Sequence, residues 1–168
     1  MKQLLAILFE NEAGALARVL GLFAQRNVNI ESLSVAPTED TTMSRLTLLT
    51  VSDSQTIEQI TKHLNRLVGV VKVVNLVHVE HVERELMLVK VCAEGEERQE
   101  IKRTCDIFRG QIVDVTTNTY TVQLVGPTAK LLGFLEAIGR AHILEVVRSG
   151  TCGITRGAKA LSLGPKGA

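Results

Sequence analysis

One order of elements is written into this chain twice, and no other feature limits its fold so tightly. Residues 46–73 lie over 120–147 without a gap, so that Val51 meets Val125, Ile57 meets Leu131, Ile60 meets Phe134 and Leu64 meets Ile138. In each copy an apolar run of strand length gives way to a stripe at helical spacing, and then to a Val-rich run. Identity between the halves is low, so the repeat is one of architecture.

The remaining elements complete the pattern. Lys2 to Phe9 reads as a buried strand, and Leu16, Val19, Leu20 and Phe23 then recur as the stripe of a helix ending near Arg26 and Asn27. Asn29 to Val35 alternates as a strand closed by Pro37, and TEDTT makes a turn. Leu46 to Val51 is the third strand, Asp53 or Ser54 caps a second helix, and Val70 to Val77 is the fourth strand. The polar stretch 79–85 then reads as a linker. Beyond it Leu86 to Ala93, the stripe Ile101, Thr104, Cys105 and Phe108, the strands Gln111 to Val115 and Tyr120 to Val125, a helix opened by Gly126 and Pro127, and the strand Ile143 to Val147 repeat the order.

The expected class is therefore α+β, with two consecutive βαββαβ ferredoxin-like domains over 1–78 and 86–156 and a flexible Gly-rich tail over 157–168. In such a unit two helices cover one face of a four-stranded antiparallel sheet. Strands such as LLAILF and LTLLTV are apolar on both faces, so the second face or the edges should be buried by a second copy, a second domain or another protein.

Composition removes several function classes. Lys and Arg number 19 against 18 Asp and Glu, so no strong field draws the chain to nucleic acid or an anionic membrane. With no Trp, one Tyr and four Phe it lacks the rings of a base-stacking platform. The N-terminal apolar run is too short for an export signal and Lys72 breaks the longest Val-rich stretch, so no membrane segment and a cytoplasmic location are expected. Cys92, Cys105 and Cys152 are widely separated with no C-x-x-C, which points to neither disulfides nor zinc.

A catalyst needs a convergent nucleophile, base and orienting group. His63 falls on a polar helix side, His142 in a turn, and His78 and His81 with Glu80 and Glu83 in the linker, where a solvated segment is favoured over a metal site. Glu94, Glu96 and Glu97 suit a helix start, and Cys105 sits in an apolar stripe as a structural thiol. Both nucleotide fingerprints are absent. No catalytic or metal residue is assigned.

The turn ENEAGAL, Glu10 to Leu16, is the better candidate. A helix start presents unpaired N–H groups and a positive dipole end to a small anion. Asn11 can donate to a carboxylate and accept from an ammonium; Gly14 permits close backbone approach, leaving the amides of Ala15 and Leu16 to donate. The plainer alternative is an N-cap turn with Asn11 or Glu12 as the cap.

ENEAGALARVLGLFAQRNVNIESLSVAPTED, SRLTLLTV, VERELMLVKV and IFRGQIVDVT resemble the small regulatory subunit family of acetolactate synthase over residues 1 to about 156, and the first half resembles an ACT domain. Asn27 stands where the common pattern has Gly, a change that left-handed backbone tolerates. The resemblance implies that Asn11, Gly14, Ala15 and Leu16 hold the polar end of valine or another branched-chain amino acid. Asn29 and Ile30 then come from a second copy in a homodimer, and Ala36 transmits the bound state. It further implies a non-catalytic chain, with thiamine diphosphate, magnesium and FAD confined to the large catalytic subunit that is its partner. The second half has AEGEERQEIKR in place of the Asn-x-x-Gly loop, which assigns ligand binding to 1–78 and assembly to the rest. Two other readings compete: an amino-acid-responsive transcriptional regulator, unsupported by any helix-turn-helix or basic surface, and an RNA-binding module of the same topology, unsupported by stacking rings.

Overall fold

The structure of the chain is a computed structural model that describes residues 1–162. The chain divides into two compact units: Met1–Val82 together with the segment that returns from Thr151, and Glu83–Gly150.

In the first unit β1 (Lys2–Glu10), α1 (Ala15–Gln25), β2 (Ile30–Pro37), β3 (Met43–Val51), α2 (Ser54–Leu64) and β4 (Val70–Asn75) follow in chain order. The antiparallel sheet has the order β2-β3-β1-β4, the ferredoxin-like arrangement. α1 is amphipathic: Ala15, Val19 and Phe23 are buried against Leu5, Ile7, Phe9, Leu46 and Leu48. It ends where Asn27 takes a left-handed φ of 53°, while the amide of Val28 reaches back to the carbonyl of Phe23 at 3.0 Å. Asp53 is the cap of α2, its carboxylate accepting from the amide of Thr56 at 2.8 Å. β2 and β3 run further into their hairpin than the sequence indicates, because Asp40 accepts from both the amide and the hydroxyl of Thr42 and closes the turn locally. β4 stops at Asn75, whose side chain caps a single 3₁₀ turn, Leu76–His78.

In the second unit β5 (His81–Cys92), α3 (Glu97–Ile107), β6 (Gln111–Val115), β7 (Thr119–Gly126), α4 (Thr128–Ile138) and β8 (Ile143–Arg148) give the order β6-β7-β5-β8. The repeat read from the sequence has a structural counterpart. Ile57, Ile60 and Leu64 are the buried stripe of α2, and Leu131, Phe134 and Ile138 that of α4. Arg109 is left-handed after α3 as Asn27 is after α1, and the amide of Gly110 donates to the carbonyl of Cys105 at 2.8 Å.

Two segments differ from the sequence division. Residues 81–85, inside the supposed linker, are extended and form the start of β5. Their charges are accommodated because Glu85, only 2% exposed, accepts from Arg148 Nε and Nη2, both at 2.7 Å, and from the Thr128 hydroxyl at 3.2 Å. The chain beyond β8 also leaves the second unit. β9 (Cys152–Thr155) and the described residues after it belong to the first unit. The supposed tail has no helix or strand over 157–162, where Leu161 packs against Leu4, Ala6 and Leu76; its end, 163–168, lies outside the described residues.

This returning segment lies on the sheet face that the helices leave open. Leu4, Ala6 and Leu76 are completely buried in a cluster that includes Leu161. The amide of Thr151 approaches Ser32 Oγ at 3.4 Å, Cys152 Sγ lies 3.1 Å from Ser34 Oγ, and Arg45 donates to the carbonyl of Gly153 at 2.7 Å. The face expected to require a second copy or domain is covered by the chain's own end.

Candidate functional site

The β1–α1 loop is tied down on both sides. The amide of Glu10 donates to Gly69 O at 2.8 Å, that of Asn11 to Thr42 O at 2.7 Å, and Asn11 Nδ2 to Thr41 O at 3.1 Å. The loop is therefore held between the β2–β3 hairpin and the α2–β4 turn, with the carbonyl end of the Asn11 amide left to accept.

Gly14 is the N-cap of α1, at φ 82° and ψ −9°, and no side chain caps the helix. The alternative of an Asn11 or Glu12 cap is not what forms. The amide of Ala15 is committed to Glu12 O at 3.2 Å, so it is less free than the sequence indicates. Those of Leu16 and Ala17 meet no acceptor among the described residues. A left-handed Gly with no acid in the first turn leaves these donors and the dipole facing outward.

Two charged groups that the sequence argument passed over flank this start. A Cβ placed on Gly14 would stand 3.7 Å from Arg18 Nη1; one on Gly69 would stand 3.9 Å from Arg18 Nη2 and 3.4 Å from Glu10 Oε2. A cation and a carboxylate thus border the same loop. The signal was available, since Arg18 falls one helical turn beyond Gly14, on the side its side chain must sweep.

The residues named from the sequence fall into two groups. Asn11, Gly14, Ala15 and Leu16 are contiguous, and Ala36 is near them in register, pairing with Arg45 one residue beyond the partner of Val35. Asn29 and Ile30 are at the opposite end: Ile30 pairs with Thr50, which pairs with Gln3, whereas the loop begins at Glu10. The seven residue steps from Gln3 to Glu10 correspond to about 23 Å of strand. Asn29 is exposed and donates to Glu31 Oε1 at 3.1 Å. β2, which carries Ile30 and Ala36, is an edge strand.

Among the described residues nothing elsewhere gathers into a catalytic constellation. Cys105 is 1% exposed, and burial, then the neighbouring Asp106 charge, pushes its thiol up to about 11. His142 Nδ1 meets Glu97 Oε2 at 3.4 Å. Among the described residues no group of three or more His, Cys, Asp or Glu side chains is placed to hold a metal.

A βαββαβ unit with a bare, glycine-led helix start, followed by a second unit of the same topology, is the architecture of tandem ACT-like domains. Residues 5–72 match the family described as the AHAS small subunit-like ACT domain, and 84–157 match that of the small subunit of acetolactate synthase. The Escherichia coli K12 acetolactate synthase isozyme 3 small subunit is 55% identical over 160 residues, covering 95% of this chain and 98% of that protein. The Haemophilus influenzae acetolactate synthase small subunit is 56% identical over the same shares of each. The crystal structure of the Thermotoga maritima small subunit superposes with a TM-score of 0.85 at 35% identity, covering 93% of this chain and 98% of that one. The chain belongs to the acetolactate synthase small-subunit family.

Proposed function

We propose that this chain is the non-catalytic regulatory subunit of an acetolactate synthase, active in the cytoplasm. It activates a separate large subunit that carries thiamine diphosphate, magnesium and FAD, and it confers feedback inhibition by valine bound where two copies of the first unit meet. The observation behind this reading is the separation of the two residue groups. Asn11 to Leu16 and Asn29 to Ile30 occupy opposite ends of one sheet, so a single copy cannot close a small site from both. Antiparallel pairing of two β2 edges about Leu33 sets Ile30 of one copy opposite Ala36 of the other, at the loop end.

In such a site the amides of Leu16 and Ala17, with Arg18, meet the ligand carboxylate, while Asn11 Oδ1 and Glu10 meet its ammonium. Ile30 of the second copy supplies apolar cover. Burial of a valine side chain contributes ~1.5–3 kcal/mol and a carboxylate at a helix start ~0.3–1 kcal/mol, which with a few hydrogen bonds gives millimolar to micromolar affinity. Valine shifts activity by binding the inhibited arrangement more tightly than the active one.

Gly14→Asp is the decisive variant. It forces an L residue into left-handed backbone, at ~1–2 kcal/mol, and sets a second carboxylate against the ligand's own. Calorimetric titration should show valine affinity lowered by at least about tenfold, and Asn29→His should do the same from the neighbouring copy. Wild-type valine affinity in Gly14→Asp would overturn the placement. Failure of the chain to stimulate the large subunit in an acetolactate assay, with no response to valine, would overturn the function.

A further inference from the structure

The open face of the first sheet and the returning segment enclose a cavity of about 320 Å³ that has no part in the loop site. Its walls are apolar and cationic, with one neutral hydroxyl, that of Thr155, which donates to Lys159 O. Ala6, Val74, Leu76 and Leu161 make it apolar, and Arg45, Lys72 and Lys159 bring three cations to it. No Asp or Glu lines it among the described residues; Glu80 borders the neighbouring open groove with Lys159 instead.

The cations are only partly satisfied from within. Arg45 spends one N–H of its fork on Gly153 O at 2.7 Å, and Lys72 reaches Ala160 O at 3.4 Å. Burial lowers the pKa of the Arg45 guanidinium, and the charge interaction with Cys152 offsets part of that. A half-buried guanidinium with donors to spare and no carboxylate partner among the described residues is matched by an anionic oxygen pair, which it can bind bidentately.

We propose that this cavity binds an aliphatic monocarboxylate lacking an amino group, a short branched 2-oxo or simple carboxylic acid. The charge comes from the cations and the apolar tail from the wall of Ala6, Val74, Leu76 and Leu161. The volume is at the lower end of small-molecule sites, ~300–1,000 Å³, and admits one such molecule. An amino acid is disfavoured on the same chemistry. The two carbonyls bonded to the cavity's cations, Gly153 O and Ala160 O, already accept from Arg45 and Lys72, and an ammonium there would face three positive charges with no carboxylate. The cavity therefore selects against valine itself and for its deaminated counterpart.

The test is titration of the full chain with 3-methyl-2-oxobutanoate, followed by NMR at the methyls of Ala160 and Leu161, with valine and neutral 3-methylbutan-1-ol as comparisons. Binding of the oxo acid should perturb those methyls, and Lys72→Gln/Lys159→Gln should weaken it by about tenfold while amide exchange of residues 151–155 stays unchanged. Valine and the alcohol should leave these methyls unperturbed at the same concentration. Equal oxo-acid affinity in wild type and the double variant, stronger perturbation by valine or by the alcohol, or no perturbation by the oxo acid would each overturn the proposal. Valine binding is read in the same samples at the Gly14 amide, so failure at either site leaves the other's result intact.

Discussion

Gly153 reports directly on whether the returning segment is seated as the structure has it. It is buried on the outer sheet face, where a Cβ would come within 2.5 Å of Leu76 Cδ1, 3.3 Å of Leu4 Cδ2 and 3.7 Å of Thr47 Cγ2. Leu76 Cδ1 is the far end of a flexible side chain and the cavity that Leu76 lines gives it one direction of escape, but Leu4 Cδ2 and Thr47 Cγ2 close in from the other sides. Gly153→Ala therefore overpacks the face, at about 1–3 kcal/mol. Global unfolding is not the expected outlet. Ordering each residue of the segment costs ~1–2 kcal/mol of backbone entropy, so its net hold on the face is small and the strain is relieved by local opening. Hydrogen exchange followed by mass spectrometry should show faster exchange over residues 151–161, with the helices α1 and α2 unaltered. Gly21→Ala is the control: nothing lies within 4 Å of a Cβ there, and within α1 the change should stabilise by ~0.5–1 kcal/mol. Wild-type exchange over 151–161 in Gly153→Ala would refute the seating of this segment against Leu76 and Leu4.

Three further outcomes follow from other parts of the molecule. Glu85→Gln should lower second-unit stability by about 2–4 kcal/mol in urea unfolding, less than the ~3–5 kcal/mol of a fully buried pair because the Arg148 side chain is 37% exposed. An unchanged midpoint would mean that the pair is not formed. The hydroxyl and amide of Thr56 hold the Asp53 carboxyl below the usual carboxylate range; its stabilising effect is complete above the unfolded value and lost as pH falls through the folded one. The difference in melting temperature between wild type and Asp53→Ala should accordingly shrink on acidification, and a difference that grows would contradict the sign. Deletion of residues 151–168 should expose Leu4, Ala6 and Leu76 and make the chain bind a hydrophobic dye, which the full chain should not do; equal dye binding would show that the segment does not cover the face.

The sequence was most legible where one physical signal dominated. The stripe Ile57, Ile60, Leu64 is set by helical periodicity and came out as a buried face; in the stripe read as Leu131, Leu135, Ile138 the middle residue is only partly buried, and Phe134 holds that place in the core. Asn27 could be read as a left-handed turn residue because few others tolerate that backbone. The segment HVERE was misread because charge was taken as a mark of solvent. Whether Glu85 is exposed depends on Arg148, 63 positions away, and no local pattern carries that information. β9 was missed for a related reason: Cys152–Thr155 is four residues long, and its extended form is supported by partners distant in sequence, such as Ser34 and Arg45. At the loop, the glycine was legible as a helix start, whereas the bare Leu16 and Ala17 amides and the bordering Arg18 and Glu10 are facts of three-dimensional placement.

The covered face also bears on how two copies can meet. Apolar residues on both sides of β1 seemed to call for a partner laid against the sheet, yet Leu4 and Ala6 are buried by residues of their own chain. The small side chains on that face now have an occupant: Ser32, Ser34 and Thr47 lie against Thr151, Cys152 and Gly153, so a second copy would have to displace the segment to pack there. The edges remain. On the β4 side Lys72 is engaged with Ala160 of the segment, and β4 carries a register shift opposite Leu8 and Phe9. β2 offers eight residues on the other edge, with a register shift of its own between Ile30 and Ser32, Asn29 beside one end and Ala36 next to Pro37 at the other. A face closed from within leaves the β2 edge, and it is along this edge that the proposed effector site requires a second copy.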